Sequence, residues 1–345
     1  MVGGLPVFIA LASAVLFGLS TPVAKLLLGE VDPWILAGIL YGGAGVGLSV
    51  VYLLGRRSEA RLTSGELPFL AGAVIAGGIV GPVLLLLGLT RVAASAASLL
   101  LTLEGVLTAL LAWFVFKENF DRRIAVGMAS IVAGAVILNW RSDATVSDLI
   151  GPMAIVAACL AWAVDNNLTR KVSLSDPVQI AMIKGLVAGP VNLAIGVLSG
   201  AGLPGVDTIL LSALTGFLGY GISLVLFVVA LRHLGTARTG AYFSVAPFLG
   251  AMAAVPLFGE AVSLQLVAAG LLMAIGVWLH MTERHDHVHE HEELEHEHRH
   301  MHDEHHDHAH DEPVEANRPH SHRHRHRRLK HSHPHMPDSH HRHSH

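Results

Sequence analysis

Between positions 5 and 281 the chain repeats one pattern ten times, an apolar run closed by a short polar interval. The runs cover residues 5–28, 33–54, 68–89, 93–116, 124–140, 149–168, 177–198, 208–231, 237–258 and 263–281. Crossing a hydrocarbon core takes about 20 apolar residues in a helix, because each residue rises about 1.5 Å. A backbone in lipid must also satisfy its own N–H and C=O groups, which a helix does and an open strand does not. The pattern therefore predicts an all-α polytopic membrane protein of ten transmembrane helices. Beyond Met281 the apolar runs stop, and residues 282–345 form a polar tail rich in histidine.

Charge sharpens that division. Residues 1–281 hold 14 Lys+Arg and 13 Asp+Glu, whereas the much shorter tail holds 9 and 14. One set of alternate intervals between the runs carries Arg56, Arg57, Arg61, Lys117, Arg122, Arg123, Arg170, Lys171, Arg232 and Arg238; the other carries only Arg91 and Arg141. Short loops rich in Lys and Arg stay in the cytoplasm. Both termini are then expected on the cytoplasmic side of an inner cell membrane, with the tail exposed to cytosolic solutes. The single cysteine, Cys159, lies inside the sixth run and leaves no intrachain disulfide to form. No basic segment precedes the first run, so it reads as a retained span rather than a cleaved leader.

The apolar region is internally duplicated. At an offset of 142, Leu89 falls on Leu231, Ala109 on Ala251, Phe116 on Phe258, Glu118 on Glu260 and Gly134 on Gly276. Phe17-Gly18 and Lys25 fall near Trp162-Ala163 and Arg170 at a slightly different offset. The halves, 1–140 and 141–281, hold five spans each. Five is odd, so the second half enters the membrane in the opposite sense, the inverted repeat of many secondary transporters, with a site expected near the midplane between the halves.

The stretch from Leu89-Thr90-Arg91-Val92 through Leu103-Glu104, followed by Leu110-Leu111-Ala112-Trp113 and Lys117-Glu118, has a counterpart running from Ala230 to Phe258-Gly259-Glu260. Together they resemble the EamA family of the drug/metabolite transporter superfamily, over about residues 5–280. The resemblance implies ten helices and transport of small solutes, often export, without ATP hydrolysis; it implies no particular substrate. The family pattern has proline after the fourth-span glutamate. Here that position is Gly105, while Ala246-Pro247 keeps the proline without the acid. No proline is thus supplied for a break in span four.

A charge at the centre of a span costs about 2.5–3.5 kcal/mol on insertion scales, so each one calls for a reason. Glu104 falls mid-span, with Thr108 one turn on, and is a candidate for solute or proton handling or for a helix clamp. Asp165, Asn166 and Asn167 lie near the cytoplasmic end of span six, either as ligands of a cation or polar solute or as a capped helix end. Lys184 is the natural partner of Asp165 or Glu104, in an ion pair or as counter-ion to an anionic substrate. Lys25 sits near the outer end of span one, where it can snorkel, and Ser20-Thr21-Pro22 can break that helix. Gly38/Gly42, Gly43/Gly47 and Gly77/Gly81 form small-residue faces suited to close helix packing.

The tail, 282–345, is one module written twice, at 285–310 and 320–345. A shift of 35 places His285, His287, His289, His291, His296, His298, His300, His305, His306, His308 and His310 on His320, His322, His324, His326, His331, His333, His335, His340, His341, His343 and His345. His302 alone meets Pro337. Leu294/Leu329, Met301/Met336 and Asp303/Asp338 also coincide, which low complexity alone does not produce. Neutral imidazole suits zinc, nickel and cobalt, and residues two apart in an extended chain share a side. The first copy carries nine carboxylates against Arg299; the second carries Arg323, Arg325, Arg327, Arg328, Lys330 and Arg342 against Asp338. Metal is therefore expected to bring an acidic and a basic strand together. Without metal, the composition reads as a disordered tail with no packed core.

No nucleotide-binding loop, hydrolase triad or embedded histidine pair is present, so enzymatic activity and a required cofactor are not expected. Three functions follow. One is a transporter, expected to export a small metabolite, whose tail binds Ni, Co or Zn as sensor or buffer. Another is a transporter of the divalent metal itself, with the tail concentrating it at the entrance. The last is a membrane-anchored metal store or chaperone. The expected partners are the lipid bilayer, a small-molecule or ion substrate and divalent metal ions, with a homodimer as a further candidate and no nucleic acid.

Overall fold

A computed structural model describes residues 4–55, 62–116, 122–140, 145–173, 175–281, 286–291, 294–300, 320–326 and 329–334. The first two spans are α1 (Gly4–Leu27) and α2 (Pro33–Leu54). The third is α3 (Leu67–Ala73), a π-helical turn (Val74–Val80) and α4 (Gly81–Leu89), and the fourth is α5 (Ala94–Leu100) and α6 (Leu103–Phe116). Then come α7 (Arg122–Asn139), α8 (Val146–Val172) and α9 (Pro177–Leu198). The eighth span is α10 (Val206–Gly216), a second π-helical turn (Phe217–Ile222) and the start of α11 (Ser223–Phe243); α12 (Ala246–Phe258) and α13 (Leu264–Met281) complete the bundle. Eight of these stretches are long and apolar enough to cross a membrane, and Ala246–Phe258 and Leu264–Leu279 are shorter apolar helices. The bundle is thus all-α and built for the bilayer.

The two halves repeat in detail. Asp32 caps α2 and Asp176 caps α9, each accepting a backbone N–H at 2.8 Å, and each is followed by proline at the first helical position. The π-helical turns fall at equivalent places in the third and eighth spans. The halves meet at α1 and α11, where Ser13 donates to the Ser223 carbonyl at 2.7 Å and Ser223 donates to that of Ser13 at 2.9 Å. In a lipid-facing bundle such reciprocal bonds satisfy both hydroxyls without water.

Three expectations change. The Ser20-Thr21-Pro22 stretch does not break α1, which runs through Pro22; the Ser20 hydroxyl donates back to the Phe17 carbonyl at 2.6 Å. Span four does break, at Leu101–Thr102, although it lacks the proline. The Thr102 hydroxyl donates to the Leu99 carbonyl at 2.8 Å, and the backbone tightens through Leu101 N to Ser98 O and Thr102 N to Leu99 O. The same device recurs at Ser244–Val245, where the Ser244 hydroxyl donates to the Gly240 carbonyl at 2.8 Å.

Finally, no loop separates spans eight and nine, because α11 continues through residues 232–236. A straight helix would hold Phe227 and Phe243 about 24 Å apart, yet their rings lie 4.9 Å apart. The helical path therefore folds back between them.

Glycine sets the closest helix contact, between α2 and α9. A methyl group on Gly185 would lie 2.6 Å from the Gly45 Cα, and one on Gly189 would lie 2.7 Å from the Gly42 Cα. Gly43 and Gly47 serve the other side of α2, against Ala213 and the Phe217 ring. The outer surface is apolar: Leu53, Leu54, Leu198, Leu210, Met252 and Leu264 are all exposed, as a lipid-facing surface requires.

The tail, read from composition as disordered, carries strands in its described parts. β1 (Asp286–His291) pairs antiparallel with β4 (Leu329–Pro334), and β2 (Leu294–His300) with β3 (His320–His326). The alternating His-x-His pattern has the period of two that a strand needs, and the two copies supply opposite charges across the pairing.

Gly45→Ala and Gly185→Ala are expected to lower the melting temperature of the purified protein, at a cost of about 1–3 kcal/mol each, as overpacking of a close contact does. Gly42→Ala, whose added methyl would meet nothing within 4 Å, should melt like the parent; equal melting of all three would refute the assignment.

Candidate functional site

The polar interior is built on α8. Asp165, Asn166, Asn167 and Thr169 lie along its last turns, where they reach the π-helical turn of span three, α6 and α9. Asp165 occupies the space above Gly77, in the π-helical turn of span three, where any side chain on that glycine would collide with its carboxylate. Lys184 of α9 donates to Asp165 Oδ1 at 2.5 Å and to the Thr169 hydroxyl at 2.9 Å, and the Thr169 hydroxyl in turn donates to Asp165 Oδ1 at 2.8 Å. Asp165, Thr169 and Lys184 are all buried. This closed triad neutralises both charges where water is scarce.

Glu104 belongs to a different arrangement. It sits in the first turn of α6, directly after the break at Leu101–Thr102. Its Oε1 accepts a hydrogen bond from the Asn166 amide at 2.7 Å. Asn167 donates instead to the Ala163 carbonyl at 2.8 Å and to the Thr108 carbonyl at 3.4 Å. Among the described residues no cation pairs with Glu104. Of the five residues singled out from sequence, the structure thus joins Asp165 with Lys184 and Glu104 with Asn166, while Asn167 ties α8 to α6. Glu104 itself is half-buried, so one carboxylate in the bundle is neither ion-paired nor fully sealed.

An aromatic wall that sequence reading had not assembled lies beside these groups. Phe17 meets Trp162 edge-on at 5.9 Å, Tyr220 edge-on at 6.0 Å and Phe243 at 5.3 Å, and Tyr41 lies 5.4 Å from Tyr220. Phe17 and Trp162 occupy corresponding places in the two repeats, and their contact marks where the halves meet. Tyr41 and Trp162 both donate to the Gly77 carbonyl, at 2.6 and 3.0 Å, and Asn192 donates to that of Gly78 at 3.0 Å. The π-helical turn thus offers carbonyls that a regular α-helix would use internally. The repeat correspondence of Phe17 with Trp162 was the signal in the sequence.

At one end of the bundle the fourth and ninth spans are fastened together. Ala93 precedes α5 and has no side chain to cap it, and Glu260 supplies the cap, accepting from Ala94 N at 2.7 Å and Ser95 N at 3.0 Å. Lys25 donates to the Val92 carbonyl beside it. Gly259, at φ 60°, takes the left-handed conformation that ends α12 and turns Glu260 toward α5. At the other end, α6 packs on α8 and α7.

Among the residues whose side chains are described, no three of His, Cys, Asp and Glu converge to hold a metal ion. The expected metal ligands His287, His289, His291, His296, His298, His300, His320, His322, His324, His326, His331 and His333 fall on β1–β4. His285, His302, His305, His306, His308, His310, His335, His340, His341, His343 and His345 lie outside the described residues.

Two five-span repeats, broken helices in each and a polar site where they meet define a multi-pass membrane transporter. The chain belongs to the EamA-like transporter family, which matches residues 4–140 and 149–282. It is 26% identical over 287 residues to an uncharacterized transporter of Methanothermobacter thermautotrophicus, covering 78% of this chain and 84% of that one. It is 25% identical over 301 residues to a probable amino-acid metabolite efflux pump of Salmonella typhimurium, covering 79% of this chain and 94% of that one. A solved structure described only as the crystal structure of a protein shares the fold, with a TM-score of 0.64 at 18% identity over 81% of this chain and 99% of the other.

Lys184→Met leaves Asp165 buried without its cation and is expected to destabilise the protein by about 3–5 kcal/mol, whereas Lys184→Met with Asp165→Asn should recover most of that loss. Thermal melting in detergent measures both, and additive losses would show that the pair is not a unit.

Proposed function

We propose that the protein is a secondary transporter of the inner cell membrane that exports a small organic solute carrying a positively charged amine next to an apolar group. The observation that carries this is the state of Glu104: half-buried at the junction of the repeats and held by an amide rather than a cation. Lys184, the other charge at this depth, is already neutralised by Asp165, so the site favours a positive group over an anion. The ammonium group would replace or join Asn166 at the carboxylate, and the wall of Phe17, Trp162, Tyr220 and Phe243 would receive the apolar part, partly through cation–π attraction. Amino acids and their derivatives fit this description, and the name of the Salmonella relative points the same way.

The direction follows from sidedness. The closed end, fastened by Glu260 and Lys25, is the one the cation distribution places outside. The opposite end then faces the cytoplasm, and a solute would load from there. A proton takes the solute's place on the Glu104 carboxylate when the solute leaves, which couples export to proton entry without any ATP.

The tail adds metal binding on the cytoplasmic side, as sensor or buffer. Metal as the cargo is the weaker reading, because Asp165 is already paired with Lys184 and the described residues hold no metal-ligand cluster. A mere anchor would not need two opposed repeats around a polar site.

In proteoliposomes loaded with single amino acids, Glu104→Gln is expected to reduce proton-driven efflux at least about tenfold at unchanged protein level; parental efflux by this variant would overturn the role of Glu104. Deleting residues 282–345 should leave efflux measurable but remove its response to added Zn(II) or Ni(II), with total cellular nickel, cobalt and zinc unchanged. A fall in cellular metal that depends on the protein would instead make the metal its cargo.

A further inference from the structure

The break in span four frees a backbone group that a continuous helix would use internally. Without the break, the Glu104 amide would donate to the Leu100 carbonyl; here it donates to that of Leu101 at 3.0 Å. The Leu100 carbonyl is met by a side chain of α8, the Cys159 thiol, at 3.7 Å. Cys159 is fully buried, and a carbonyl without a donor is costly at that depth. A thiol suits the place because it packs as a small apolar group and still donates weakly.

Past Glu104, α8 makes a second contact of the same kind. The buried Asn167 amide donates to the Thr108 carbonyl at 3.4 Å while it holds the Ala163 carbonyl of its own helix at 2.8 Å. Between these two contacts lies Asn166, which donates to the Glu104 carboxylate at 2.7 Å and to the Thr108 hydroxyl at 3.5 Å. Cys159 and Asn166 are two helical turns apart and share one face of α8. The contacts therefore advance in step along both helices, from Leu100 through Glu104 to Thr108, with the carboxylate in the middle.

A purely structural need would recur in the other repeat, which has its own break at Ser244–Val245. At the offsets that relate the halves, Ala14, Thr21 and Pro22 stand where α8 has Cys159, Asn166 and Asn167, and Ala246 stands where span four has Glu104. The break is built twice. The thiol and the two amides accompany only the copy that carries an acid.

We propose that Cys159 and Asn167 are positioning residues for transport, bracketing the broken turn from α8 so that the Glu104 carboxylate is held at a fixed place and angle for the solute. This rests on the reading of Glu104 as the group that binds the solute and specifies what holds it there. Neither residue touches the solute; both act through the backbone of span four.

Efflux of single amino acids from proteoliposomes holding the full-length protein, with concentration and pH both varied, tests this. Cys159→Ala and Asn167→Leu remove the donors and are expected to raise the apparent KM about three- to tenfold, with little change in maximal rate. Both should also move the pH midpoint of efflux by about half a unit or more. Cys159→Ser, which differs from Cys159→Ala by one hydroxyl, should stay within about twofold of the parent in KM and keep the parental midpoint. Added to Glu104→Gln, Cys159→Ala should raise KM less than about twofold further, since its effect passes through the carboxylate. A fall in maximal rate alone, at parental KM and midpoint, would mark the two residues as merely structural and overturn the proposal, as would a Cys159→Ser variant no better than Cys159→Ala. Both results leave Glu104 in its role, whereas parental efflux by Glu104→Gln would overturn the reading beneath it.

Discussion

The Lys184–Asp165 pair, closed by Thr169 and seated over Gly77, is the contact on which the polar interior depends. Two opposite charges at this depth can coexist only while each satisfies the other, since lipid and packed side chains offer neither any solvation. The pair ties α8 to α9, and α9 lies against α2 at glycine contact distance. The π-helical turn of span three gives Asp165 its room and offers its Gly77 carbonyl to Tyr41 and Trp162. With those two charges spent on each other, Glu104 is left to the Asn166 amide.

Much of the fold was legible because the bilayer leaves few solutions. Span length, the scarcity of charge and the cation bias of alternate loops fix a ten-span bundle, and the offset of 142 fixes its two halves. The paired glycines were likewise readable as packing. What escaped was geometry that depends on neighbours. The break in span four looked unsupported without proline, yet Thr102 and a tightened turn make it, as Ser244 does in the other repeat. The reversal between spans eight and nine was read from the sequence as a loop at 232–236, but there the backbone stays helical.

The site was legible in parts. Glu104, Asp165 and Lys184 declared themselves by being charged where charge is expensive. Which carboxylate takes the lysine was not decidable from spacing, since both Glu104 and Asp165 fall inside apolar runs. The structure gives it to Asp165 and leaves Glu104 to Asn166. The aromatic wall was invisible as a set because its members come from five different spans; only the correspondence of Phe17 with Trp162 hinted at it. In the tail, charge complementarity between the copies was apparent from composition, whereas the antiparallel register of the two strand pairs was not.

The cap on α5 has a consequence for how the chain is made. Ala93 leaves the first amides of that helix without a partner, and the carboxylate that takes them, Glu260, is synthesised more than a hundred and sixty residues later. While the ribosome is still producing the second repeat, the first half sits in the membrane with these donors unmet. The fourth helix can settle only after the ninth has threaded and Gly259 has turned its neighbour inward. The capped state of α5 is therefore reached only once residue 260 is in place, which couples the final packing of the first half to that of the second.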